Sequence, residues 1–449
     1  MAGLCALSVD PRLYKGGFSD DLFWLTFYIQ HLGESNCGLA VAKNARLRWD
    51  TKPGLLRHVF GERFGQFDGD EGIGYCGPTA EPIHVYSRFG ELVVCFSGNI
   101  SNREALLAKL MQEGIPFEKG DDVEVITSLI VRTNYKIVDS IKAMAGLVQG
   151  AYSLVILSEH GIYAICSPEG HWPLVIGKKE GALVVSSESA GFFNRGFKLI
   201  RDVEPGEILL IKDAREEVLG KMNGRGSKFC SFYLVYTSFA SAVLRGRPAS
   251  LIRKNLGGVL ARRDIQRGFI PDVVIPVPDS GRFHAIGYHQ EYCRAICRGA
   301  ISRIPLYDEG LLKYPHAGRS FTPQSGEARR LMAHVKILPG GEDWTGLVVV
   351  VCDDSIVRGT QTQEDLIPKL RSLGVKKIHL RISEPELLDY CPYGKTTKKG
   401  ELLAQRFPEI ADRVRFLGVD SLEYNTIDDL VSVIGIPSEQ LCLDCNIRH

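Results

Sequence analysis

No apolar run in this chain is long enough to cross a bilayer, and its first residues carry no signal-peptide pattern. Neither a membrane span nor export is expected, and the sequence reads as cytoplasmic. Excess charge is missing as well: 54 Lys and Arg oppose 53 Asp and Glu, for a formal net charge of +1. Bulk charge therefore offers nothing to nucleic acid or to a membrane surface. Internal repeats and low-complexity tracts are absent too. What remains is a globular composition, 45% hydrophobic and 24% charged, in 449 residues, long enough for two or three domains. Twelve cysteines without an export pattern do not read as a disulfide framework.

The chain divides at Lys221-Met222-Asn223-Gly224-Arg225-Gly226-Ser227-Lys228, a polar, glycine-rich stretch with no apolar periodicity. This predicts one unit over 2–222 and a second over 229–449. In the first, strand-like runs at 92–96, 153–157, 183–185 and 207–211 alternate with turns, and helical patterns cover 103–112 and 123–135. Many strands with few helices predict an α+β layered domain. In the second, strands alternate with helical patterns, which predicts a parallel α/β sheet.

The most informative stretch is Val348-Val349-Val350-Val351-Cys352-Asp353-Asp354-Ser355-Ile356-Val357-Arg358-Gly359-Thr360. Its β-branched start reads as a buried parallel strand. Two carboxylates follow at the strand's C-terminal end, where open α/β sheets place ligands. Ser355, Gly359 and Thr360 then precede a helical pattern at Leu366, Ile367, Leu370 and Leu373. Such a turn at a helix N-terminus can cradle a phosphate, because its N–H groups lack partners. Asp353 and Asp354 suit the two hydroxyls of a ribose, or a metal ion shared with it. An ordinary strand-turn-helix with an acidic turn is the bland alternative.

This segment resembles the phosphoribosyl pyrophosphate (PRPP) motif of type I phosphoribosyltransferases. Its Asp-Asp-Ser-Ile-Val-Arg-Gly-Thr form is similar to that of the glutamine PRPP amidotransferase family, which opens purine synthesis. Val273-Val274-Ile275-Pro276-Val277-Pro278-Asp279-Ser280-Gly281 resembles the family's pyrophosphate loop. Gly310-Leu311-Leu312-Lys313 through Arg319, with Arg329, Arg330 and Lys336 beyond, resembles its basic lid. The resemblance implies an N-terminal-nucleophile-hydrolase-like αββα domain followed by an α/β type I phosphoribosyltransferase domain. It implies PRPP binding at Asp279, Ser280, Gly281, Lys336, Asp353, Asp354, Ser355, Val357, Gly359 and Thr360. Mg²⁺ would sit on Asp353, Asp354 and Ser280, and Lys313 and Arg319 would join the acid pair in catalysis. A homo-oligomer is implied by the same analogy.

Cys442-Leu443-Asp444-Cys445 is a C-x-x-C, with Cys391 before Pro392-Tyr393-Gly394 and Cys230 opening the second unit. Spacing leaves zinc and an iron–sulfur cluster both open. One subgroup of the family holds a [4Fe–4S] cluster at these four landmarks, so the resemblance implies a structural cluster here. The other eight cysteines read as core residues.

The first half resembles a class II glutaminase, with departures. The family's nucleophilic cysteine aligns with Ala2, its glutamine-gripping arginine with Gly77, its oxyanion asparagine with Ser97, and a further site arginine with Leu32. Losing a nucleophile costs about 10⁶ in rate, and losing an oxyanion donor roughly 10²–10³. A designer silencing the site needs only the first change, so several losses fit relaxed selection better. The glutaminase is expected to be dead. The segment that couples the family's two sites is also altered, to Ser238-Phe239-Ala240-Ser241-Ala242, and the lid reads Tyr314-Pro315-His316. The expected enzyme joins PRPP to ammonia or another small nitrogen nucleophile, free or supplied by a partner protein. Two alternatives remain: a PRPP-binding pseudoenzyme that regulates or scaffolds a pathway, and an engineered glutaminase-dead amidotransferase. An isolated His284 after the pyrophosphate loop is either an acceptor contact or an ordinary surface or core histidine.

Overall fold

The computed structural model describes residues 1–224, 226–315, 335–341, 343–394 and 397–448. The first half is built on two antiparallel sheets. One has seven strands in the order Lys198–Asp202, Val175–Lys179, Ala182–Ser186, Gly3–Val9, Glu71–Gly77, Asn36–Lys43, Arg46–Pro53. The other has six, in the order Arg215–Lys221, Glu207–Lys212, Gly161–Cys166, Gly150–Ser158, Gly90–Ile100, Ile83–Ser87.

Side-chain alternation explains the layering. Leu4 and Ala6 of the first strand point between the sheets, while Cys5, Leu7 and Val9 point outward to helix Phe18–Tyr28. On the second sheet Val93 and Cys95 face inward, while Leu92, Val94 and Phe96 meet helices Asp122–Val131 and Ile137–Leu147. Strands covered on both faces are apolar almost throughout: all seven residues of Gly3–Val9 are buried, and Ser8 satisfies its hydroxyl by accepting the Ala214 N–H at 3.0 Å. The result is the expected αββα sandwich. Sequence patterning placed helix Arg103–Gln112 correctly but not Phe18–Tyr28 or Ile137–Leu147.

The second half carries a five-stranded parallel sheet, ordered Leu306–Tyr307, Val273–Pro276, Val348–Asp353, Lys377–Ile382, Ser421–Tyr424. Val350 and Cys352 face helix Arg282–Cys297 through Tyr288 and Tyr292, while Val349 and Val351 face Leu366, Ile367 and Leu370. This is the parallel α/β domain expected from the alternating pattern. The two halves share apolar packing: Phe23 and Leu25 belong to the same cluster as Ile252, Leu256 and Leu430. Phe229 and Cys230 pair in parallel with Leu441 and Cys442, which ties the start of the second half to its last segment.

Among the described residues no helix is long and apolar enough to cross a membrane.

Candidate active site

The acid pair stands where a parallel sheet delivers ligands. Asp353 closes strand Val348–Asp353, and Asp354 follows it, buried. Ser280 donates its hydroxyl to Asp353 Oδ1 at 3.0 Å, so the two loops meet side by side. The Asp354 N–H also donates to Asp353 Oδ1, at 2.9 Å, and Ser355 Oγ donates to Asp354 Oδ2 at 2.6 Å. Burial, reinforced by the neighbouring Asp354 carboxylate, holds the Asp353 carboxyl well above the usual range.

Gly281 has to be glycine: a Cβ there would stand 2.2 Å from the Cys352 carbonyl oxygen. The missing side chain lets the Asp279–Gly281 loop lie against the acid-pair strand. Gly359 takes φ +75°, which L side chains rarely adopt. Its turn is fixed from outside: Leu403 N–H donates to the Val357 carbonyl at 2.8 Å, and Gln363 N–H to the Gly359 carbonyl at 2.9 Å. Thr360 lies half-buried at the head of the following helix.

Lys313 reaches this site from a two-stranded ribbon, Leu311–Lys313 against Ile337–Pro339. Its Nζ is 3.0 Å from Asp279 Oδ2, so it is already aimed at the pyrophosphate-type loop. The Lys336 carbonyl accepts the Tyr314 N–H at 2.8 Å and fastens the base of the ribbon. Arg319, Arg329, Arg330 and His316 lie outside the described residues. His284 is a core residue, fully buried, with Nε2 3.4 Å from the Val235 carbonyl and its pKa pushed down to about 3 by burial. Its burial supports the core-histidine reading.

At position 2 the arrangement is closed. Ala2 is buried; its N–H donates to Ser97 Oγ at 3.1 Å, and Ser97 Oγ donates to the Ala2 carbonyl at 2.7 Å. A Cβ on Gly77 would fall 2.0 Å from the Tyr75 hydroxyl and 2.7 Å from Ala2 Cβ. A Cβ on Gly33, next to buried Leu32, would fall 2.4 Å from Gly77 Cα. Tyr75 is fully buried and bonds Thr79 Oγ1 at 2.7 Å, which donates in turn to Glu81 Oε1 at 2.6 Å.

Burial pushes the Glu81 carboxyl up to about 8, from an ordinary value of 4.5. The folded chain therefore holds a proton that the unfolded chain releases between these values, and stability falls as pH rises across that window. Glu81→Gln is expected to flatten that part of the stability–pH curve and to raise stability above pH 8. Denaturant midpoints from pH 5 to 9 check this; an unchanged slope would refute it.

Cys230, Cys391, Cys442 and Cys445 lie in one region of the fold. Cys230 and Cys442 are register partners, and the Cys445 thiol lies within electrostatic reach of the other three. Burial raises all four thiols, Cys442 to about 12. Among the described residues no three His, Cys, Asp or Glu side chains gather as a single metal ion requires. Of the other eight cysteines, six are buried as expected. Cys293 is half-buried and Cys297 exposed, because helix Arg282–Cys297 turns its last residues to solvent.

Three contributors had no strong signal in the sequence. Arg253 is buried between the charges of Asp354 and Glu188, its guanidinium donating to the Leu234 and Ser238 carbonyls. His31 lies 2.6 Å from the same Glu188. Glu384 is fully buried just past strand Lys377–Ile382, and its N–H donates to the Asp354 carbonyl at 2.7 Å. An acid directly after a parallel strand was the one available hint for the last.

Known proteins share this fold. A model described as a glutamine amidotransferase domain matches residues 78–194. An amidophosphoribosyltransferase of Methanocaldococcus jannaschii is 33% identical, over 98% of this chain and 94% of its own length. The chloroplastic amidophosphoribosyltransferase 1 of Arabidopsis thaliana is 31% identical, over 93% of this chain and 73% of that protein. The structure of the B. subtilis glutamine PRPP amidotransferase complexed with ADP and GMP superposes with a TM-score of 0.85 at 29% identity, covering 99% of this chain and 96% of that one. With its glutaminase-type sandwich, its phosphoribosyltransferase-type sheet and relatives matched over nearly its whole length, the chain belongs to the amidophosphoribosyltransferase family.

Proposed function

We propose that this chain transfers the phosphoribosyl group of PRPP to ammonia or another small nitrogen nucleophile, with its own glutaminase half silent. The observation that carries this is the contrast between the two sites. Around Asp353, Asp354 and Ser280 the ligand-bearing groups are present and joined by hydrogen bonds. At position 77 any side chain would collide with Tyr75, and position 2 has no thiol to attack an amide.

In this reading the units are 2–222 and 229–449. Asp353 and Asp354 take the ribose hydroxyls and, with Ser280 through water, Mg²⁺. That ion would neutralise charge on the departing pyrophosphate. Asp279, Ser280 and Gly281 hold the pyrophosphate. Ser355, Val357, Gly359 and Thr360 hold the 5′-phosphate. Lys313 exchanges Asp279 for the diphosphate and, with Arg319 and Lys336, excludes water that would otherwise hydrolyse PRPP. Cys230, Cys391, Cys442 and Cys445 would hold a [4Fe–4S] cluster of structural role: Cys442 is buried, the other three are half-buried, and Cys445 lies within electrostatic reach of the rest.

Pyrophosphate release by anaerobically purified protein, with Mg²⁺ and PRPP, tests the reading. Release is expected with ammonium and not with glutamine. Ala2→Cys is expected to leave glutamine unused, because Tyr75 still fills the space beside Gly77. Glutamine-dependent release by that variant would instead mark the chain as an amidotransferase silenced at one position. PRPP binding without release under any amine would favour the pseudoenzyme.

A further inference from the structure

We infer that Asn446, acting through Glu384, is a positioning residue for the acid pair, so that the cysteine-bearing tail sets the affinity for PRPP. The inference rests on Asp353 and Asp354 binding the ribose of PRPP, as proposed above.

The turn after strand Lys377–Ile382 holds both acids by their backbones. Ser383 N–H donates to the Asp353 carbonyl at 3.0 Å, and Glu384 N–H donates to the Asp354 carbonyl at 2.7 Å. The position of that turn therefore fixes where the two carboxylates stand. The turn is itself gripped from the tail. Asn446, 2% exposed, directs its side-chain amide at Glu384 Oε1 (3.1 Å) and at the carbonyls of Pro385 and Glu386 (both 3.3 Å). One residue earlier, the Cys445 carbonyl accepts the N–H groups of Leu388 (2.8 Å) and Asp389 (3.2 Å). Segment 383–389 is thus strapped to the acid pair on one side and to the tail on the other.

Glu384 is an expensive choice for a mere filler. Its side chain is fully buried, and among the described residues Oε2 has no hydrogen-bond partner. Burying a carboxylate with one of its oxygens unsatisfied is unfavourable, and an apolar residue would fill the space at lower cost. What the carboxylate adds is an acceptor for Asn446. It also stands between the two centres, within electrostatic reach of Cys230 and Cys445 on one side and of Asp354 on the other, and burial pushes its carboxyl up to about 8.

The phosphate-type turn has further anchors of its own, although Ser355 bonds Asp354 and Gln405 of helix Leu403–Arg406 donates to the Leu388 carbonyl and to Asp389. Val357 and Gly359 are bonded to Leu403 and Gln363, and Arg358 pairs with Glu401. Loosening the tail should therefore disturb the acids far more than the 5′-phosphate cradle, an asymmetry that general destabilisation would not produce.

The test is PRPP binding in the presence of Mg²⁺ by calorimetry on the full chain, with inorganic phosphate as a second probe. Asn446→Ala is expected to weaken PRPP binding about tenfold, as the loss of one well-placed hydrogen bond would, and to weaken phosphate binding far less. Glu384→Ala should do the same, and the double variant should be no worse than either single one. Glu384→Gln keeps an acceptor for Asn446 and should restore affinity even if the alanine variant folds poorly. Equal weakening of PRPP and phosphate, or additive effects in the double variant, would overturn the inference. Failure of the unaltered chain to bind PRPP would overturn the reading of the acid pair and this inference with it. Tight binding by the unaltered chain and by every variant would overturn the inference alone.

Discussion

Asp354→Asn is expected to lower PRPP-dependent pyrophosphate release by roughly 10²–10³, the scale on which one preorganised charged group contributes to such a reaction. The substitution keeps the side-chain shape and a carbonyl oxygen for the Ser355 hydroxyl, now 2.6 Å from Asp354 Oδ2. It removes one of two carboxylates that stand against each other. Two such charges repel, which suits them to a divalent cation and sugar hydroxyls. Removing one should relieve Asp353 and leave the fold intact or slightly stabilised. Loss of turnover with an unchanged melting temperature is the expected pair of results. Turnover within threefold of the unaltered chain would remove Asp354 from the site.

The second large effect is expected at the tail. On the proposed cluster assignment, Cys442→Ser removes one of the four thiols and should strip iron and acid-labile sulfide from anaerobically prepared protein. Metal-binding free energy in such sites is folding free energy, so the loss should be on the order of several kcal/mol. Cys442 is buried, and its backbone pairs with Cys230 while its carbonyl accepts the Ser231 hydroxyl at 3.1 Å. Undocking this strand would therefore expose Phe229 and Leu441, both buried now. Cys297→Ser, on an exposed thiol, is the matched control and should change neither iron content nor stability. If Cys442→Ser protein kept its iron and its melting temperature, the four-thiol centre would be wrong.

Both predictions concern residues that could be found in the sequence, and the reason is local. The valine run before Asp353 and Asp354 announces a strand buried on both faces, and the Gly-Thr turn after it announces a helix start. Each needs only neighbours in the chain. Four sandwich strands, Gly90–Ile100, Gly150–Ser158, Ala182–Ser186 and Glu207–Lys212, were legible for the same reason, whereas Gly3–Val9 and the others were not read. What could not be read depends on distant partners. Helix Phe18–Tyr28 shows little segregation of apolar and polar residues, because it is covered by its own sheet on one side and touches the second half on another. The plug formed by Tyr75, Thr79 and Glu81 is invisible in sequence, where only the absence of an arginine at Gly77 shows. Glu384 and Asn446 lie 62 residues apart in the chain, and no spacing rule links them.

The pairing of Phe229–Cys230 with Leu441–Cys442 has a consequence for how the molecule is made. These partners are more than two hundred residues apart, as the Ser231–Cys442 bond with its separation of 211 shows. A ribosome delivers the glutaminase-type sandwich first, and that unit can close while the rest is still being synthesised. The second unit cannot: its opening strand waits for the Leu441–Cys442 segment to clear the exit tunnel. Until then Phe229 has no strand partner, and the apolar cluster it shares with Tyr233 and Leu441 is incomplete. Contacts of such long sequence separation form slowly, because a large loop must close before they give any return. The interval between the two events is when this chain is most exposed to aggregation. Slow translation or a chaperone acting over that interval should raise the yield of folded protein more than any change to the first half.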